Sequence, residues 1–222
     1  MEEGKLERPP KEIIEGFRAI PTATISDVLD SMGISGIING LRPLVPGVRI
    51  AGAAFTVKSI TGERGTYSVA DFPVGQVLDL MEKDDIFVCD LGGQQVSHMG
   101  GLASLAMKLR GVAGMVVDGG VRDVEHIISE GFPTYTRHTC ATSGKFRVKI
   151  LANNIPVEIG SVRVYPGDIV VADDTSVAVV PADKAKEVLQ ECQRREELEA
   201  QFVAELKKGS TFLGASRKLG IM

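Results

Sequence analysis

The spacing of apolar residues predicts helices and strands in alternation along the chain. Apolar positions three and four residues apart predict helices, and this spacing occurs in segments 11–20, 22–33, 74–83 and 182–208. Runs of apolar and β-branched residues predict strands over 49–60 and 84–90. The first ten residues are mostly polar and end in Pro9–Pro10, so we expect a loose arm there.

A pattern of strand, aspartate and paired glycines occurs twice in the middle of the chain. In IFVCDLGG the strand is predicted to end at Asp90, and in GMVVDGG at Asp118. The helix between the two copies carries an apolar stripe at Leu102, Leu105, Ala106 and Leu109. A second helix follows the second Gly-Gly, and a strand resumes after Gly131. The middle is therefore predicted to be a βαβαβ unit, whose parallel strands are joined by right-handed crossovers.

The last third of the chain predicts short antiparallel strands followed by one long charged helix. The apolar stripe of this helix runs through Ala185, Val188, Leu189 and Cys192. The stripe breaks at RREE and restarts at Leu198, Phe202 and Leu206, which suits a helix that leaves its own domain and lies on a neighbour. Because no linker divides the chain, we predict one α/β domain over 1–222, with C-terminal helices in 183–222 that contact another subunit.

Composition narrows the class of protein. The 222 residues are 44% hydrophobic and 24% charged, the balance of an ordinary globular protein. The net charge is −4 and basic residues are not clustered, which argues against a nucleic-acid surface. The sequence contains neither a membrane-length apolar run nor a signal-peptide pattern at its N-terminus. The 3 widely spaced cysteines indicate reduced, packed thiols, so we expect a cytoplasmic protein.

Candidate chemistry collects at the carboxyl ends of the predicted parallel strands, where open sheets bind their ligands. Gly100–Gly101 precede a helix whose free N-terminal amides suit a carboxylate that approaches closely. These amides belong to Gly101, Leu102 and Ala103. Arg122 can grip a carboxylate or keto oxygen, and Asp123 offers hard oxygen ligands to Mg²⁺ or Mn²⁺. Together they fit a small 2-oxo acid that chelates a divalent ion.

Structural interpretations stay open for the same residues. Asp123 can be a helix N-cap, with one oxygen on the helix and the other on a metal, and Arg122 alone is typical of a surface charge. Asp118 can support the predicted Gly-Gly turn by accepting backbone N–H groups. His98, predicted on a loop, is either a proton donor or ordinary polar surface.

The segment GGLASLAMKLRGVAGMVVDGGVRD, residues 100–123, resembles the signature of the RraA-like, class II pyruvate aldolase family. Three further segments resemble the N-terminal helix, first strand and C-terminal strands of that family: TATISDVLDSMG, AGAAFTVK and VYPGDIVVADDTSVAVVP. The resemblance covers nearly the whole chain and implies a three-layer α/β sandwich. It also implies a homotrimer or a hexamer with active sites between subunits, in which Arg122 binds substrate and Asp123 binds the metal.

The acid that completes the catalytic pattern of this family is altered in this chain. The aldolases carry an acid or a glycine 21 positions before the arginine, and here that residue is Gly101. With glycine there, the pattern tends to place an acid three residues after the aspartate, where this chain has His126, preceded by Glu125. Adjacent helical residues point about 100° apart, so only one of these two can face the site. The family also places a neighbouring subunit's glutamate near the site, for which Glu196 and Glu199 are candidates.

The resemblance implies a divalent-metal-dependent lyase that cleaves C–C bonds of small 2-oxo acids through a pyruvate enolate. Retro-aldol cleavage of 4-hydroxy-2-oxo acids needs a base for the hydroxyl proton, but oxaloacetate decarboxylation does not. We therefore expect decarboxylation to survive the altered acid position. One alternative is a non-catalytic RraA-type regulator that inhibits another protein such as a ribonuclease, although the intact Arg122–Asp123 pair argues against it. A methyltransferase is disfavoured, because the sequence lacks an evident glycine-rich loop for S-adenosylmethionine.

Overall fold

Helices and strands in the computed structural model follow the predicted alternation, with longer strands in the centre. The structure describes residues 2–220. The helices are α1 (Lys11–Phe17), α2 (Thr22–Ser31), α3 (Val74–Asp79), α4 (Gly101–Leu109), α5 (Val124–Ser129), α6 (Ala185–Lys207) and α7 (Phe212–Leu219). The strands are β1 (Glu2–Glu3), β2 (Ile37–Ile38), β3 (Arg42–Pro43), β4 (Ile50–Thr61), β5 (Asp85–Met99), β6 (Gly114–Val121), β7 (Thr134–Thr139), β8 (Val148–Asn153), β9 (Val157–Ile159), β10 (Val162–Val164), β11 (Ile169–Ala172) and β12 (Val177–Val180).

A large mixed sheet forms the middle layer, in the order β2-β12-β11-β4-β5-β6-β7-β3. Strands β4 to β7 run parallel, and α4 and α5 connect β5, β6 and β7 in turn. Alternate side chains along the strands enter different cores: helices cover one face of the sheet, and the β9–β10 hairpin packs on the other. The predicted α/β class, the central βαβαβ unit and the helical termini are therefore confirmed.

The paired glycines after Asp118 lie inside a strand, so the prediction of a Gly-Gly turn was wrong. Strand β5 continues beyond Asp90 to Met99, and its register with β6 shifts repeatedly over this stretch. At these irregularities, atoms of β5 lie very close to the backbone of β6. A Cβ on Gly119 would lie 2.7 Å from Leu91 Cδ2, and a Cβ on Gly120 would lie 2.8 Å from the carbonyl oxygen of Val96. Glycine is thus required for close packing between the strands.

The two strand aspartates hold the hairpin layer onto the sheet. Asp90 and Asp118 are paired across β5 and β6, and both are buried. Asp90 accepts from Lys58 Nζ at 2.6 Å and from the amide of Glu158 at 3.1 Å. Asp118 is hydrogen-bonded to Arg137 and accepts from the Gly160 amide. Asp118 therefore has the supporting role that its backbone-accepting chemistry suggested, although it supports a hairpin and not a turn.

Helix α4 exposes the two ends of its predicted apolar stripe, whereas Leu105 and Ala106 are half-buried and Ala106 packs against the core. Leu102 and Leu109 are 80% and 79% exposed, whereas Gly101, Ser104 and Met107 are buried. Ser104 can be buried because its hydroxyl donates to the carbonyl oxygen of Gly100 at 3.0 Å. Spacing identified the helix correctly, but the most buried face lies at Gly101, Ser104 and Met107, beside the predicted stripe.

The terminal segments pack more tightly than the sequence indicated. The N-terminal arm is not loose, because β1 pairs with β8 and Arg8 binds the buried Asp85 through two contacts of 2.9 Å. The first half of α6 enters the core beside α1 and α2. In its second half, the Phe202 ring lies 4.9 Å from that of Phe212 on α7. The apolar residues of α6 that follow RREE thus pack against α7 of the same chain. Contact of this helix with a second subunit stays a prediction.

Two further expectations concern the environment of the protein. In the part of the chain that the structure describes, no helix combines the length and apolarity needed to cross a membrane. Cys89, Cys140 and Cys192 are all free thiols, and Cys89 and Cys192 are buried. The packing role predicted for the cysteines holds for these two.

Candidate functional site

The N-termini of α4 and α5 meet at Asp123. This residue has a left-handed backbone conformation, with φ of 57°, and stands at the N-cap position of α5 without capping that helix through its side chain. Its Oδ2 instead accepts from the Gly101 amide, the first of α4, at 3.1 Å. The N-cap interpretation was therefore right about the position of Asp123 and wrong about which helix its carboxylate serves.

Arg122 lies directly beside this carboxylate. Its Nε is 3.6 Å from Asp123 Oδ2, and the two side chains are 43% and 47% exposed. The Arg122 amide donates to the carbonyl oxygen of Met99 at 3.1 Å, which ties the pair to the end of β5. The backbone position of the pair is thus fixed, while both side chains remain accessible to a ligand.

Gly100 and Gly101 are required by their neighbours. A Cβ on Gly100 would lie 2.6 Å from Asp123 Oδ2, and a Cβ on Gly101 would lie 2.4 Å from His126 Nδ1. The space beside Gly101 is thus occupied by the imidazole of His126. A side chain at 101 and the present position of the His126 ring exclude each other.

The structure separates the two candidates for proton transfer. His126 is half-buried, faces Gly101, and has its Nε2 3.9 Å from Glu130 Oε1. Glu125 is exposed, and neither Glu125 nor His126 lines either cleft beside Arg122. As the helical geometry required, only one of them, His126, is directed at the N-terminus of α4.

Two clefts share Arg122 and Asp123 as a common wall. The first has a volume of about 370 Å³ and also includes three predicted substrate-binding residues, Gly100, Leu102 and Ala103, but not Gly101. The second, of about 390 Å³, is bordered by Val124 and by residues 139–141 at the end of β7. The first cleft contains more of the predicted substrate-binding residues, so we take it as the candidate site.

The first cleft includes residues that the sequence did not indicate, and it places His98 differently from the prediction. Ser143 and Lys145 follow β7 in an irregular segment and reach the cleft only through the fold. His98 was predicted on a loop, but it lies on β5 and is 3% exposed. Its Nε2 is 2.9 Å from the hydroxyl of Ser59, and burial lowers the pKa of His98 to about 3. His98 is therefore a neutral wall residue at physiological pH.

The glutamates predicted to act on a neighbouring subunit lie elsewhere in their own chain. Glu196 Oε1 accepts from the hydroxyl of Thr24 at 2.5 Å. Glu199 lines a groove between α2, α6 and α7, whose lining does not include Arg122 or Asp123. The fold of one chain does not bring either glutamate to the candidate site, so their predicted role concerns only an assembly.

Asp123 is the residue here that can bind a divalent ion. Within residues 2–220, no three His, Cys, Asp or Glu side chains cluster as a metal-binding group. A site with a single carboxylate suits Mg²⁺, which usually keeps several waters and takes further oxygens from its substrate. The donor set therefore fits an ion that shares its coordination with a chelating ligand.

A family profile described as Aldolase/RraA, RraA-like, matches residues 22–179. A protein of Halalkalibacterium halodurans, provisionally named 4-hydroxy-4-methyl-2-oxoglutarate aldolase, is 31% identical over 186 residues, covering 83% of this chain and 84% of that protein. Protein DlpA of Legionella pneumophila is 36% identical over 170 residues, or 76% of this chain. The chain spans only 27% of the length of DlpA.

A solved structure shows the same fold. It is that of a Streptomyces coelicolor protein described as an unusual member of the RNase ES inhibitor RraA protein family. The two structures superimpose with a TM-score of 0.78 at 28% identity, over 88% of this chain and 98% of the other. The similar proteins thus include one named for a lyase activity and one described among inhibitors.

Proposed function

Because this chain belongs to the RraA-like family of aldolases and RraA proteins, we propose that it is a divalent-metal-dependent lyase that cleaves C–C bonds of small 2-oxo acids. The observation that carries the proposal is the carboxylate of Asp123, hydrogen-bonded to the Gly101 amide and adjacent to Arg122. One acidic oxygen is oriented by the helix, while the exposed side of the group stays available.

The binding roles follow from charge and direction. The N-terminal amides of α4 and the guanidinium of Arg122 both favour an anion, so they would hold the carboxylate and keto oxygen of the 2-oxo acid. Asp123 would hold Mg²⁺ or Mn²⁺ with the help of substrate and water oxygens. When bound, the ion supplies a Lewis acid that stabilises negative charge on oxygen.

Two reactions produce the same pyruvate enolate. In retro-aldol cleavage a base takes the C4 hydroxyl proton, the C3–C4 bond breaks, a carbonyl forms at C4, and the bond pair enters the enolate. In oxaloacetate decarboxylation the C3–C4 bond breaks with loss of CO₂, and the same pair enters the enolate. Protonation at C3 then gives pyruvate in both cases. Arg122 would stabilise the enolate charge, and His126, which faces Gly101, is the proposed proton carrier.

Decarboxylation is the less demanding of the two reactions, because it needs no base for a hydroxyl proton. Since His126 replaces the usual acid, we infer that oxaloacetate is turned over faster than 4-hydroxy-4-methyl-2-oxoglutarate. A regulatory role is the second candidate, favoured by the likeness to a protein described among RNase ES inhibitors.

The proposal includes a homotrimer or hexamer. Leu102 and Leu109 are exposed on α4, and Leu102 also lines the candidate cleft, so an interface here would place the cleft between subunits. A second copy of the chain is the proposed occupant of this face.

The decisive experiment measures pyruvate release from oxaloacetate and from 4-hydroxy-4-methyl-2-oxoglutarate, with Mg²⁺ and with a chelator. We expect Mg²⁺-dependent release that is faster from oxaloacetate. Release that is unchanged by the chelator would contradict the metal role. No release above the uncatalysed rate from either acid would refute the lyase proposal and favour the regulator.

A further inference from the structure

We propose that Lys145 and Ser143 bind the second carboxylate of the substrate, so that the protein selects 2-oxo acids whose carbon chain ends in another carboxylate. The inference rests on the proposed function, because it assumes that the 2-oxo acid group lies at Arg122 and Asp123. It assigns the distal end of the ligand to a segment for which the sequence carried no signal.

Residues 143–145 are held against the same strand as Arg122. Ser97 on β5 forms a parallel bridge with Ser143. Two residues further along β5, the carbonyl oxygen of Met99 accepts from the Arg122 amide at 3.1 Å. Two residues of a strand span at most about 7 Å, and the terminal carbons of a five-carbon chain lie roughly 5 Å apart. One small diacid is therefore long enough to lie between the two anchored segments.

Lys145 supplies a cation that is not used within the described protein. It is exposed and lines the cleft that contains Arg122 and Asp123. Its ammonium group has no hydrogen-bond or ion-pair partner among residues 2–220. Burial lowers the pKa of His98 to about 3, so that ring is neutral and Lys145 is the second cation of the lining. A ligand with two negative charges thus finds a positive group for each of them.

Ser143 supplies a hydroxyl donor beside this cation. Its Oγ accepts from the Lys145 amide at 3.2 Å, and within residues 2–220 its own proton has no acceptor. Its carbonyl oxygen accepts from Arg147 Nη1 at 3.2 Å. Gly144 approaches β5 so closely that an added Cβ would lie 2.5 Å from the carbonyl oxygen of Ser97. The turn is therefore fixed, and it presents a hydroxyl and an ammonium group, both of which suit a carboxylate.

The rest of the lining offers little to a second carboxylate. Most of its side chains are apolar and come from α3, α4 and flanking segments: Phe72, Val74, Leu78, Met99, Ala103 and Ala106. Ser97 also lines the cleft, but its hydroxyl donates to the carbonyl oxygen of Met99 at 2.8 Å. Apart from the groups assigned to the 2-oxo acid, Ser143 and Lys145 are thus the donors that remain.

The expected effect on affinity is modest, because Lys145 is exposed. An exposed ion pair strengthens an interaction by up to about fivefold, and a hydrogen bond from Ser143 adds to it. The ligand is already anchored at Arg122, so its second carboxylate reaches the turn with little further loss of translational freedom. A preference of about fivefold for a diacid is therefore expected.

Calorimetry in Mg²⁺ with three non-cleavable acids tests the inference. 2-Oxoglutarate has the distal carboxylate but neither a C4 hydroxyl nor a carboxylate on C3, so it undergoes neither proposed reaction. Pyruvate lacks the distal group, and 5-methyl-2-oxohexanoate carries an isopropyl group in its place. We expect 2-oxoglutarate to bind at least about fivefold more tightly than pyruvate. Equal or weaker binding would overturn the inference while leaving the lyase proposal intact. Failure of all three acids to bind would refute the proposed function, and the inference with it.

Substitutions locate the effect at the turn. Lys145→Met is expected to weaken 2-oxoglutarate binding about fivefold and to leave pyruvate and 5-methyl-2-oxohexanoate unchanged, whereas Lys145→Arg keeps the charge and should preserve the preference. Ser143→Ala should weaken 2-oxoglutarate binding about twofold. Lys83→Met removes an equal charge at an exposed position outside the lining and should alter no affinity. Equal losses for pyruvate and 2-oxoglutarate in Lys145→Met, or the same loss in Lys83→Met, would contradict a local site for the second carboxylate.

Discussion

The carboxylate of Asp123 accepts a hydrogen bond from the Gly101 amide at 3.1 Å, so one acidic side chain joins the beginnings of two helices. Residues that are 22 positions apart in the chain thereby define one site. The contact uses Oδ2, which also faces Arg122. This leaves the carboxylate oriented by protein groups while it remains partly exposed, the condition that a metal ligand needs.

Asp123→Asn should separate the charge of this carboxylate from its shape. The amide oxygen of asparagine can still accept from Gly101, but the negative charge that attracts a divalent ion is lost. We expect Mn²⁺ affinity, measured by electron paramagnetic resonance, to fall at least about tenfold and Mg²⁺-dependent pyruvate release about 100-fold. Asp79→Asn, which changes an exposed carboxylate on α3, is the matched control. Unchanged Mn²⁺ binding in Asp123→Asn would show that the ion binds elsewhere.

A double-mutant cycle should detect the shared space of Gly101 and His126. Gly101→Ala places a Cβ 2.4 Å from His126 Nδ1, so we expect it to lower the free energy of unfolding by about 1–3 kcal/mol. With His126→Ala in the background, the same substitution should cost about 1 kcal/mol less, because the obstructing ring is gone. Urea denaturation measures both effects.

Gly75→Ala serves as the control for this cycle, since a Cβ there meets nothing within 4 Å. It should be neutral or stabilise α3 by up to about 1 kcal/mol. Additive effects of the Gly101 and His126 substitutions would show that the two residues do not compete for space.

Burial of His98 makes stability fall as the pH is lowered toward 5. Its folded pKa of about 3 is below the unfolded value of about 6.5, so the unfolded chain binds the proton more readily. The associated stability is present above pH 6.5 and is lost as the pH falls toward 3. Between pH 7 and 5 the free energy of unfolding should drop by about 2 kcal/mol from this group.

His98→Phe removes the titrating group and keeps an aromatic ring between Phe72 and Phe87. Whatever its stability at pH 7, the variant should lose about 2 kcal/mol less than the wild type on going to pH 5. Denaturant titrations at the two pH values provide the comparison. An identical pH dependence in both proteins would mean that His98 gains its proton in the folded state as easily as in the unfolded chain.

The apolar outer face of α4 predicts the assembly state. Leu109→Lys puts a charge on that face at the last residue of the helix, where a cation is otherwise favourable, so the fold should persist while the oligomer weakens. Light scattering is expected to give a trimeric or hexameric mass for the wild type and a lower mass for the variant. Leu80→Lys, at the C-cap of α3, is the control for a new charge at a helix end. A monomeric wild type at micromolar concentration would exclude the proposed interface.

The sequence by itself determined the order of the helices and strands and the residues that can carry chemistry. Spacing of apolar residues located α1, α2, α4 and the strands of the βαβαβ unit, because a helix or strand must turn one face toward a core. The glycines at 100–101 and the Arg122–Asp123 pair were likewise visible, since their chemistry depends on residue type. Residues 100–123 also carried the family resemblance.

The tertiary structure decided which partners these residues meet. The spacing of apolar residues in α4 did not reveal that Ser104 is buried and Leu102 exposed. A serine hydroxyl can be buried in a helix when it donates a hydrogen bond to a carbonyl oxygen of the preceding turn. The sequence predicted a turn at glycines 119–120. In the structure they lie within β6, where the irregular course of β5 leaves no room for a side chain. Ser143 and Lys145 reach the cleft only because their segment pairs with the end of β5, and such long-range contacts leave no local pattern in a sequence.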